Sequence, residues 1–411
     1  MSAKRILLIT QGVPASGKST TLERLGLSPY VISTDKIRLM LDSPEMTLDG
    51  FGISQKSHKD VFNLYYDVIE RRMAKGAFTI VDATHTKEKD FGKYRNLCNT
   101  YRYKAILVRF DISLEEAIER DMKRGLASVG EEVITRKYEE MQNCKIPKFL
   151  DVITPDEIMD AIQYKPADLS NYNKIVHIGD IHGCYSVLRE TIGEIKRDNF
   201  YIFTGDYIDR GLENAEVINY LLEIKDYDNV ILLKGNHEIH LDNYSRDLPT
   251  NGKSFRTTAS ELEEKGVSKK DIRILCRKFR DVFAYKYNEK TVLVSHGGVP
   301  FYPENITLID GIQYVKGVGG YEANIDEIFT QRCSQENIYQ IHGHRNLFEL
   351  PAKASEKSFN LEGRVEFGGH LRVCVLDKNG FNFVENKNNI FRLPEKDKML
   401  LSVKDMVDVL R

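Results

Sequence analysis

Short apolar runs recur in the first third of the chain, separated by longer stretches that alternate apolar and polar residues. The runs cover residues 6–10, 78–81 and 105–110. Continuous apolar runs of this length are typical of buried strands, and the segments between them have the length and amphipathic character of helices. The alternation predicts an α/β fold with a parallel sheet in this part of the chain.

A second series of β-rich runs begins further along the chain, at residues 174–178, 200–204, 230–233, 291–295 and 337–341. Each run ends in a cluster of Gly, Asp, Asn or His residues. Ligands collect at the carboxyl ends of strands in open α/β sheets, so we expect these clusters to share one rim.

A helix start and a polar stretch separate the two series. Thr154, Pro155 and Glu157 have the spacing of an N-cap, a first helical residue and a capping-box glutamate, and residues 163–173 are mostly polar. A chain of 411 residues is long enough for two cores. We therefore predict domains at residues 1–151 and 174–411, joined by a capped helix and linker at 152–173.

Composition and charge limit the classes of function. The 59 Lys and Arg residues balance 61 Asp and Glu residues, so any contact with nucleic acid must be local. The six cysteines form no CxxC pair, which argues against a zinc or disulfide framework and indicates a reducing, cytoplasmic compartment. No uncharged apolar stretch approaches the roughly 18 residues of a membrane span, so we expect neither a membrane partner nor a signal peptide.

The first strand leads into a complete GxxxxGKS phosphate loop, followed by Thr20 and a predicted helix. Its phosphate-binding positions are Gly12, Ser16, Gly17, Lys18 and Ser19. In such a loop the backbone N–H groups face the β-phosphate, the lysine reaches the β/γ oxygens and the serine hydroxyl ligates magnesium. ATP with Mg²⁺ is the expected ligand, since this half has no guanine-reading NKxD element.

Acidic and basic side chains follow the next strands. Asp35 and Arg38 have an i,i+3 spacing that predicts one helix face, where a carboxylate could accept a hydroxyl proton and a guanidinium could hold a phosphate. A solvated ion pair is the alternative. Asp82 ends an apolar run and predicts either a carboxylate near magnesium or a helix N-cap.

Arg120 and Arg124 have an i,i+4 spacing within ERDMKR, which predicts one face of a helix. Two guanidiniums on one face would suit a lid over a triphosphate. Exposed surface arginines are the alternative.

Taken in order, GVPASGKST, STDKIR, VDAT and ERDMKR resemble the 5′-hydroxyl polynucleotide kinase domain of phage and bacterial end-healing enzymes, over roughly residues 1–150. The resemblance implies that Asp35 is the general base and that Arg38 engages the acceptor end. It also implies that Arg120 and Arg124 are lid residues.

Four clusters in the second half carry metal-ligating side chains: GDIHG, GDYIDRG, GNHE and SHGG, with a late Gly-His at 343–344. Mixed carboxylate, amide and imidazole ligands suit manganese, iron or zinc better than calcium. The remaining histidines lie outside these positions, and we assign them no ligand role: His58, His85, His177, His240, His342 and His370.

These motifs strongly resemble those of PPP-type metallophosphoesterases, over about residues 174–380, with residues 366–371 similar to the closing strand of bacterial and phage members. The resemblance implies an α/β sandwich of mixed sheets and two divalent transition metals, with manganese expected. It places Asp180, His182 and Asp206 on one metal, and Asp206, Asn236, His296 and His344 on the other. It also makes His237 the acid that protonates the leaving oxygen, Asp209 its orienting partner and Arg210 the phosphate clamp.

Together the two halves predict an enzyme that phosphorylates 5′-hydroxyl ends of RNA or DNA with ATP and removes a 3′-phosphate or opens a 2′,3′-cyclic phosphate. No KxDG ligase motif is present, so a separate ligase acting in trans is the expected partner. Two alternatives remain: a small-metabolite kinase fused to a protein phosphatase or dinucleoside-polyphosphate hydrolase, and a nucleotide-sensing module. The intact Lys18, Ser19 and metal set count against the second.

Overall fold

A computed structural model describes residues 5–47, 50–54, 56–125, 128–250 and 252–392. The chain forms two compact units. The first combines residues 5–164 with Glu304–Gly311, and the second combines Lys165–Pro303 with residues 312–392. Within the described ranges, no helix is both long enough and apolar enough to cross a membrane.

The first unit is an α/β layer structure. Its strands are β1 (Ile6–Gln11), β2 (Val31–Ser33), β3 (Glu45–Thr47), β4 (Gly50–Gly52), β5 (Thr79–Asp82), β6 (Lys104–Arg109) and β7 (Leu150–Ile153). Its helices are α1 (Lys18–Arg24), α2 (Thr34–Leu41), α3 (His58–Ala74), α4 (Gly92–Tyr101), α5 (Leu114–Met122), α6 (Glu131–Gln142) and α7 (Ile158–Ile162).

Five of these strands form one sheet in the order β2-β5-β1-β6-β7, and every neighbouring pair is parallel. β1 lies at the centre and is buried throughout. Leu7 and Ile9 pack into one apolar cluster, whereas Ile6 and Leu8 pack into another. Successive side chains point to opposite faces of a strand, so the apolar residues 6–9 of β1 fill the core on both sides of the sheet. The predicted parallel sheet is confirmed.

The predicted capping box is present, and the helix after it belongs to the core of the first unit. Glu157 Oε2 accepts hydrogen bonds from the Thr154 backbone N–H at 2.7 Å and from its hydroxyl at 2.9 Å. In α7, Ile158 and Ile162 are fully buried in the cluster that contains Ile6. The compact unit therefore continues through residue 164, past the predicted domain end at 151. The independence of the two domains stays a prediction.

The second unit contains the strands β8 (Ala167–Asp168), β9 (Lys174–Ile178), β10 (Asn199–Phe203), β11 (Val230–Leu232), β12 (Val282–Tyr287), β13 (Lys290–Ser295), β14 (Ile338–His342), β15 (Ser358–Asn360), β16 (His370–Asp377) and β17 (Gly380–Lys387). Its helices are α8 (Tyr185–Ile192), α9 (Asn214–Ile224), α10 (His237–Ser245), α11 (Lys253–Glu264), α12 (Lys269–Cys276), α13 (Gly311–Lys316) and α14 (Ile325–Arg332).

Two mixed sheets face each other in this unit, in the orders β11-β10-β9-β16-β17 and β15-β14-β13-β12-β8. β9, β10 and β11 are parallel, whereas β16 runs antiparallel to β9. The core between the sheets includes Phe200 of β10 and Phe283 of β12, whose rings stack at a centroid distance of 6.0 Å. This arrangement confirms the predicted sandwich of mixed sheets.

Candidate active sites

The phosphate loop joins the carboxyl end of β1 to the first residue of α1. Gly17, the residue before α1, has φ 89°. Glycine adopts this left-handed conformation without the steric penalty that a Cβ atom brings. The turn therefore gives the loop its curvature at the helix N-terminus, where backbone N–H groups face an anion.

Lys18 folds back onto the loop that precedes it. Its Nζ donates hydrogen bonds to the carbonyl oxygens of Gly12 at 2.9 Å and Val13 at 2.8 Å, and to Ser16 Oγ at 3.3 Å. Burial lowers the pKa of Lys18 to about 8, while the nearby carboxylates of Asp82 and Asp35 oppose that shift. Among the described residues, the hydrogen-bond acceptors of this buried ammonium group are all neutral, so the group is well placed to gain a phosphate as partner.

Asp82 lies at the end of β5, beside the phosphate loop. It is buried, and its two carboxylate oxygens accept hydrogen bonds from Thr10 Oγ1 at 2.9 Å and Ser19 Oγ at 3.1 Å. The alternative prediction of a helix N-cap was wrong, because the next helical turn begins at Glu88 and is capped by Lys87. A serine hydroxyl beside a carboxylate offers oxygen ligands of the kind that Mg²⁺ prefers.

Asp35 and Arg38 both lie on α2, in different environments. Asp35 is exposed, whereas Arg38 is only 5% exposed. Arg38 Nη2 contacts Nδ1 of His58 at 3.2 Å, and Arg38 Nη1 is buried with no hydrogen-bond partner in the described part of the chain. An unsatisfied guanidinium N–H group has a strong preference for an anionic acceptor. The His58 contact was missed from sequence, since a lone histidine on another helix carries no motif.

The prediction that one helix carries both Arg120 and Arg124 was wrong. α5 ends at Met122, so Arg124 lies in the turn that follows, where Asp121 accepts a hydrogen bond from its Nη1 at 3.2 Å. Arg120 remains helical and pairs with Glu116. Both arginines are still near the phosphate loop: Arg120 Nη1 would lie 3.6 Å from a Cβ atom on Gly17, and Arg124 helps lower the pKa of Lys18.

The second site is built from loops that follow β9, β10, β11, β13 and β14, so the predicted common rim is confirmed. Five of its residues have positive φ: His182 (43°), Asp206 (49°), Asp209 (76°), Arg210 (72°) and His344 (70°). This conformation costs about 1 kcal/mol or more for a residue with a Cβ atom. Such strain concentrates at functional sites, where the fold holds side chains in unfavourable positions.

Asp206 lies at the centre of this site. Its Oδ2 is 3.2 Å from His296 Nε2, 3.7 Å from His182 Nε2 and 3.9 Å from His237 Nε2. Burial alone would raise the pKa of Asp206, but the surrounding imidazoles hold it well below the usual range. Asp206 belongs to two separate sets of side chains whose ligand atoms lie within 4.8 Å of one another. Its carboxylate is therefore placed to bridge two cations.

One of those sets combines Asp206 with His296 and His344, and Asn236 Oδ1 lies 3.2 Å from His296 Nε2. Burial and the neighbouring His296 lower the pKa of His344 to about 3, which keeps its imidazole neutral, as a metal ligand must be. The other set combines Asp206 with His182 and His237.

A third set joins Asp180 and His182 with Glu362, a residue that the sequence motifs did not include. Burial, followed by the facing carboxylates of Glu362 and Asp206, raises the pKa of Asp180 well above its usual value. Asp180 Oδ1 is buried without a hydrogen-bond partner among the described residues. Facing carboxylates and an unsatisfied oxygen fit a divalent cation, which would remove the repulsion between them.

A chain of hydrogen bonds orients His237. Its Nδ1 lies 2.5 Å from Asp209 Oδ2, and the other oxygen of Asp209 accepts a hydrogen bond from the Thr258 hydroxyl of α11 at 2.5 Å. Asp209 is fully buried and Thr258 is 1% exposed. With Nδ1 held by the carboxylate, Nε2 is the ring nitrogen that faces the site. Thr258 was not predicted, because it lies 49 residues from its partner.

Glu238 holds together two of the loops that carry ligands. Its carboxylate accepts hydrogen bonds from the backbone N–H groups of Gly235 at 2.7 Å, Asp206 at 2.9 Å and Tyr207 at 2.9 Å. Burial and the nearby Asp206 raise the pKa of Glu238 to about 7. The glutamate of GNHE therefore positions the Asp206 backbone.

Arg210 lies at the mouth of the site, and its side chain is 40% exposed. Its Nη1 donates a hydrogen bond to Glu366 Oε1 at 2.7 Å, and its Nη2 lies 3.3 Å from His237 Nε2. Glu366 lies in the 3-10 turn Val365–Phe367, and β16 begins only at His370, so the predicted closing strand starts later than residue 366. The sequence did not indicate the contact of Glu366 with Arg210.

Comparisons with known families agree with the two units. The family model of calcineurin-like phosphoesterases matches residues 173–384, and a model of the AAA domain matches residues 7–144. The first match spans more than half of the 411-residue chain.

The curated relatives are protein phosphatases. Serine/threonine-protein phosphatase PP2A-like PPG1 of Candida albicans is 36% identical over 121 residues, covering 28% of each chain. A protein phosphatase 2A catalytic subunit from Dictyostelium discoideum is 35% identical over 108 residues, covering 24% of this chain and 34% of that protein. The chain thus spans about a third or less of the length of these relatives.

Solved structures are similar at lower identity. A protein serine/threonine phosphatase from Saccharomyces cerevisiae aligns with 55% of this chain and 82% of its own, at 18% identity and a TM-score of 0.37. A cold-active protein-tyrosine phosphatase from a Shewanella species aligns with 55% of this chain and 83% of its own, at 18% identity and the same TM-score of 0.37.

Proposed function

Because the chain belongs to the calcineurin-like phosphoesterase family and carries a complete phosphate loop in a separate unit, we propose that it heals the broken ends of nucleic acids. In this proposal the first unit uses ATP to phosphorylate a 5′-hydroxyl end. The second removes a 3′-phosphate or opens a 2′,3′-cyclic phosphate. The observation that carries the proposal is that one chain combines an intact GxxxxGKS loop with a cluster of potential metal ligands around Asp206.

The proposed kinase reaction uses groups around Lys18. The oxygen of the 5′-hydroxyl bonds to the γ-phosphorus of ATP while Asp35 accepts the hydroxyl proton. The bond between that phosphorus and the β–γ bridging oxygen breaks, and ADP is released. Lys18, Arg120 and Arg124 neutralise the charge on the transferring group. Arg38, with its unsatisfied Nη1, holds a phosphate of the acceptor strand.

The proposed phosphatase reaction occurs around Asp206. Two divalent cations held by the ligand set, with manganese as our expectation, would supply a hydroxide nucleophile and neutralise phosphate oxygens. Arg210 donates hydrogen bonds to a non-bridging oxygen from the edge of the guanidinium that Glu366 leaves open. His237, oriented by Asp209, donates its Nε2 proton to the leaving oxygen as the P–O bond breaks.

The same groups can process a cyclic phosphate in two steps. The first hydrolysis breaks one of the two ribose P–O bonds, and the released ribose oxygen takes the proton from His237. The second hydrolysis releases inorganic phosphate and leaves a free diol. Cleavage that leaves a 5′-hydroxyl commonly leaves a cyclic phosphate on the other end, so one protein would prepare both ends for a separate ligase.

A competition assay tests the substrate assignment of the second unit. The manganese-loaded protein is incubated with three substrates at equal concentration. They are RNA with a 2′,3′-cyclic phosphate, a phosphoserine peptide and diadenosine tetraphosphate. The proposal predicts the highest kcat/KM for the RNA end. The similarity to protein phosphatases makes the peptide the strongest competitor, and clear preference for the peptide or the dinucleotide would overturn the assignment.

A further inference from the structure

Glu366 is a buried acid at the phosphatase site. Its side chain is 1% exposed, and its Oε1 accepts the hydrogen bond from Arg210 Nη1 at 2.7 Å. The same oxygen lies 3.9 Å from His182 Nε2. Its second oxygen, Oε2, is buried and has no hydrogen-bond partner within the described ranges. Buried carboxylates are uncommon unless they are paired with a cation. The cation that pairs with Glu366 is Arg210.

The partner of this acid is the cation that would bind substrate. Arg210 is more exposed than Glu366, so its N–H groups that do not point at Glu366 can donate hydrogen bonds to a phosphate on the solvent side. With hydrogen bonds of about 2.8 Å on each side of the guanidinium, a phosphorus atom there would lie roughly 5–7 Å from the Glu366 carboxylate. The substrate and Glu366 therefore share one arginine.

Charge distinguishes the substrates that could occupy this position. A phosphate monoester with a second pKa of about 6 is mostly a dianion at neutral pH, whereas a phosphodiester, cyclic or linear, is a monoanion. The dianion therefore meets more repulsion from a fixed carboxylate than the monoanion does. The Glu366 carboxylate and the phosphate charge would be separated by about 6 Å and strongly screened by the metals. One additional negative charge on the phosphate then changes the ratio of the diester rate to the monoester rate by a factor on the order of ten.

We propose that Glu366 is a specificity residue that favours monoanionic phosphodiesters, such as 2′,3′-cyclic phosphates, over dianionic phosphate monoesters. The proposal rests on the metallophosphoesterase activity of the proposed function and deepens its substrate class. It does not depend on whether the natural substrate is a nucleic acid. Glutamine in this place could still accept the Arg210 hydrogen bond through its amide oxygen while carrying no charge.

The test compares Glu366→Gln with the wild type on two chromogenic esters that release the same leaving group. In both reactions water oxygen bonds to phosphorus and the bond to the p-nitrophenolate oxygen breaks. Bis(p-nitrophenyl) phosphate is the monoanion and p-nitrophenyl phosphate is the dianion at pH 8. We expect the diester-to-monoester ratio of kcat/KM to fall about tenfold in the variant. Inhibition by inorganic phosphate, a second readout, should become stronger by a similar factor.

Three controls separate this role from others. Glu366→Asp keeps the charge and should keep most of the wild-type preference. Glu349→Gln removes the same charge from the exposed pair of Glu349 with Arg364 and should leave the ratio unchanged. Metal content per chain, measured by mass spectrometry, should be equal in the wild type and Glu366→Gln.

An unchanged ratio in Glu366→Gln, or loss of one metal equivalent from it, would overturn the proposal, since Glu366 would then be a structural residue or a metal ligand. A measurement on the wild type keeps the proposal testable if that variant does not fold. As pH falls from 7.5 to about 5.5, the monoester gains a proton, so the diester preference should shrink; a constant preference over that range contradicts the proposal. Chromogenic activity with no action on RNA ends would instead refute only the nucleic-acid assignment.

Discussion

Removing the Thr258 hydroxyl should weaken the His237 acid without touching the substrate. Among the described residues, Thr258 donates the one side-chain hydrogen bond that Asp209 Oδ1 accepts, and that oxygen is fully buried. Thr258→Val keeps the side-chain shape and leaves that charged oxygen unsatisfied. The loss of such a bond costs about 1–3 kcal/mol. For a domain of this size that lowers Tm by about 4–8 °C, if the middle of the range applies.

The kinetic effect should depend on the leaving group. Phenolate is a poor leaving group that needs a proton, whereas p-nitrophenolate leaves readily without one. If Asp209 orients His237, then loosening Asp209 should reduce kcat for phenyl phosphate about tenfold and kcat for p-nitrophenyl phosphate by less than about threefold. Thr258→Ser retains the donor and should restore both rates.

A second control is Thr191→Val in α8, where the hydroxyl donates to the backbone oxygen of Val187 at 2.6 Å, outside the site. It should change neither rate. The reasoning is refuted if Thr258→Val slows both esters equally, or if it lowers Tm and leaves the rate with phenyl phosphate unchanged. The first outcome would mean that the hydroxyl does not act through protonation of the leaving group, and the second that it supports the fold alone.

Three further predictions concern the two sites directly. Asp35→Ala should abolish 5′-phosphorylation and leave phosphatase activity, whereas Asp206→Ala should do the reverse; loss of both activities in either folded variant would contradict the two-site account. His237→Ala should bind two metals per chain but hydrolyse phenyl phosphate at least about a hundredfold more slowly, and loss of one metal would make His237 a ligand instead. Lys18 has a pKa lowered to about 8 by burial, and a bound triphosphate favours its protonated form, so ATP affinity should fall as pH rises above 8 and binding should take up a proton there. Calorimetry in buffers of different ionisation enthalpy measures that uptake, and pH-independent affinity from pH 7 to 9.5 would exclude it.

Much of both units could be predicted from sequence because their signals are local. The β1 run, the phosphate loop and the start of α1 are contiguous, so the pattern specifies strand, turn and helix together. The metal-ligating motifs follow strand ends in the same way, and the structure brings Asp180, Asp206 and His296 together, as the rim argument requires.

What the sequence did not reveal depends on long-range contacts. Glu366 meets Arg210 across 156 residues, and neither glutamate of the 360s stands in a motif that indicates a partner. The end of α5 was also not predicted. The helix ends at Met122, so Arg120 and Arg124 do not lie on one helix face despite their i,i+4 spacing. Periodicity predicts a helix better than it predicts the residue where the helix ends.

The packing of residues 304–311 had no sequence signal either. The Asn305 side chain accepts a hydrogen bond from the Tyr164 backbone N–H at 3.3 Å and donates one to the Ile162 carbonyl at 3.2 Å, although about 140 residues separate them. A division at residue 151 would remove both partners from the first unit. A fragment that ends after residue 164 keeps α7 but still lacks residues 304–311, so a test of independent folding must supply those residues as well.

The most direct test of the account uses RNA strands that carry a 5′-hydroxyl at one end and a 2′,3′-cyclic phosphate at the other. The protein is incubated with these strands, ATP, magnesium and manganese, and both ends are then identified by mass spectrometry. The account predicts a 5′-phosphate and a free 2′,3′-diol on the same strand, with neither RNA change in the Asp35→Ala, Asp206→Ala double variant. Strands that keep both original ends, while the protein still hydrolyses p-nitrophenyl phosphate, would contradict it.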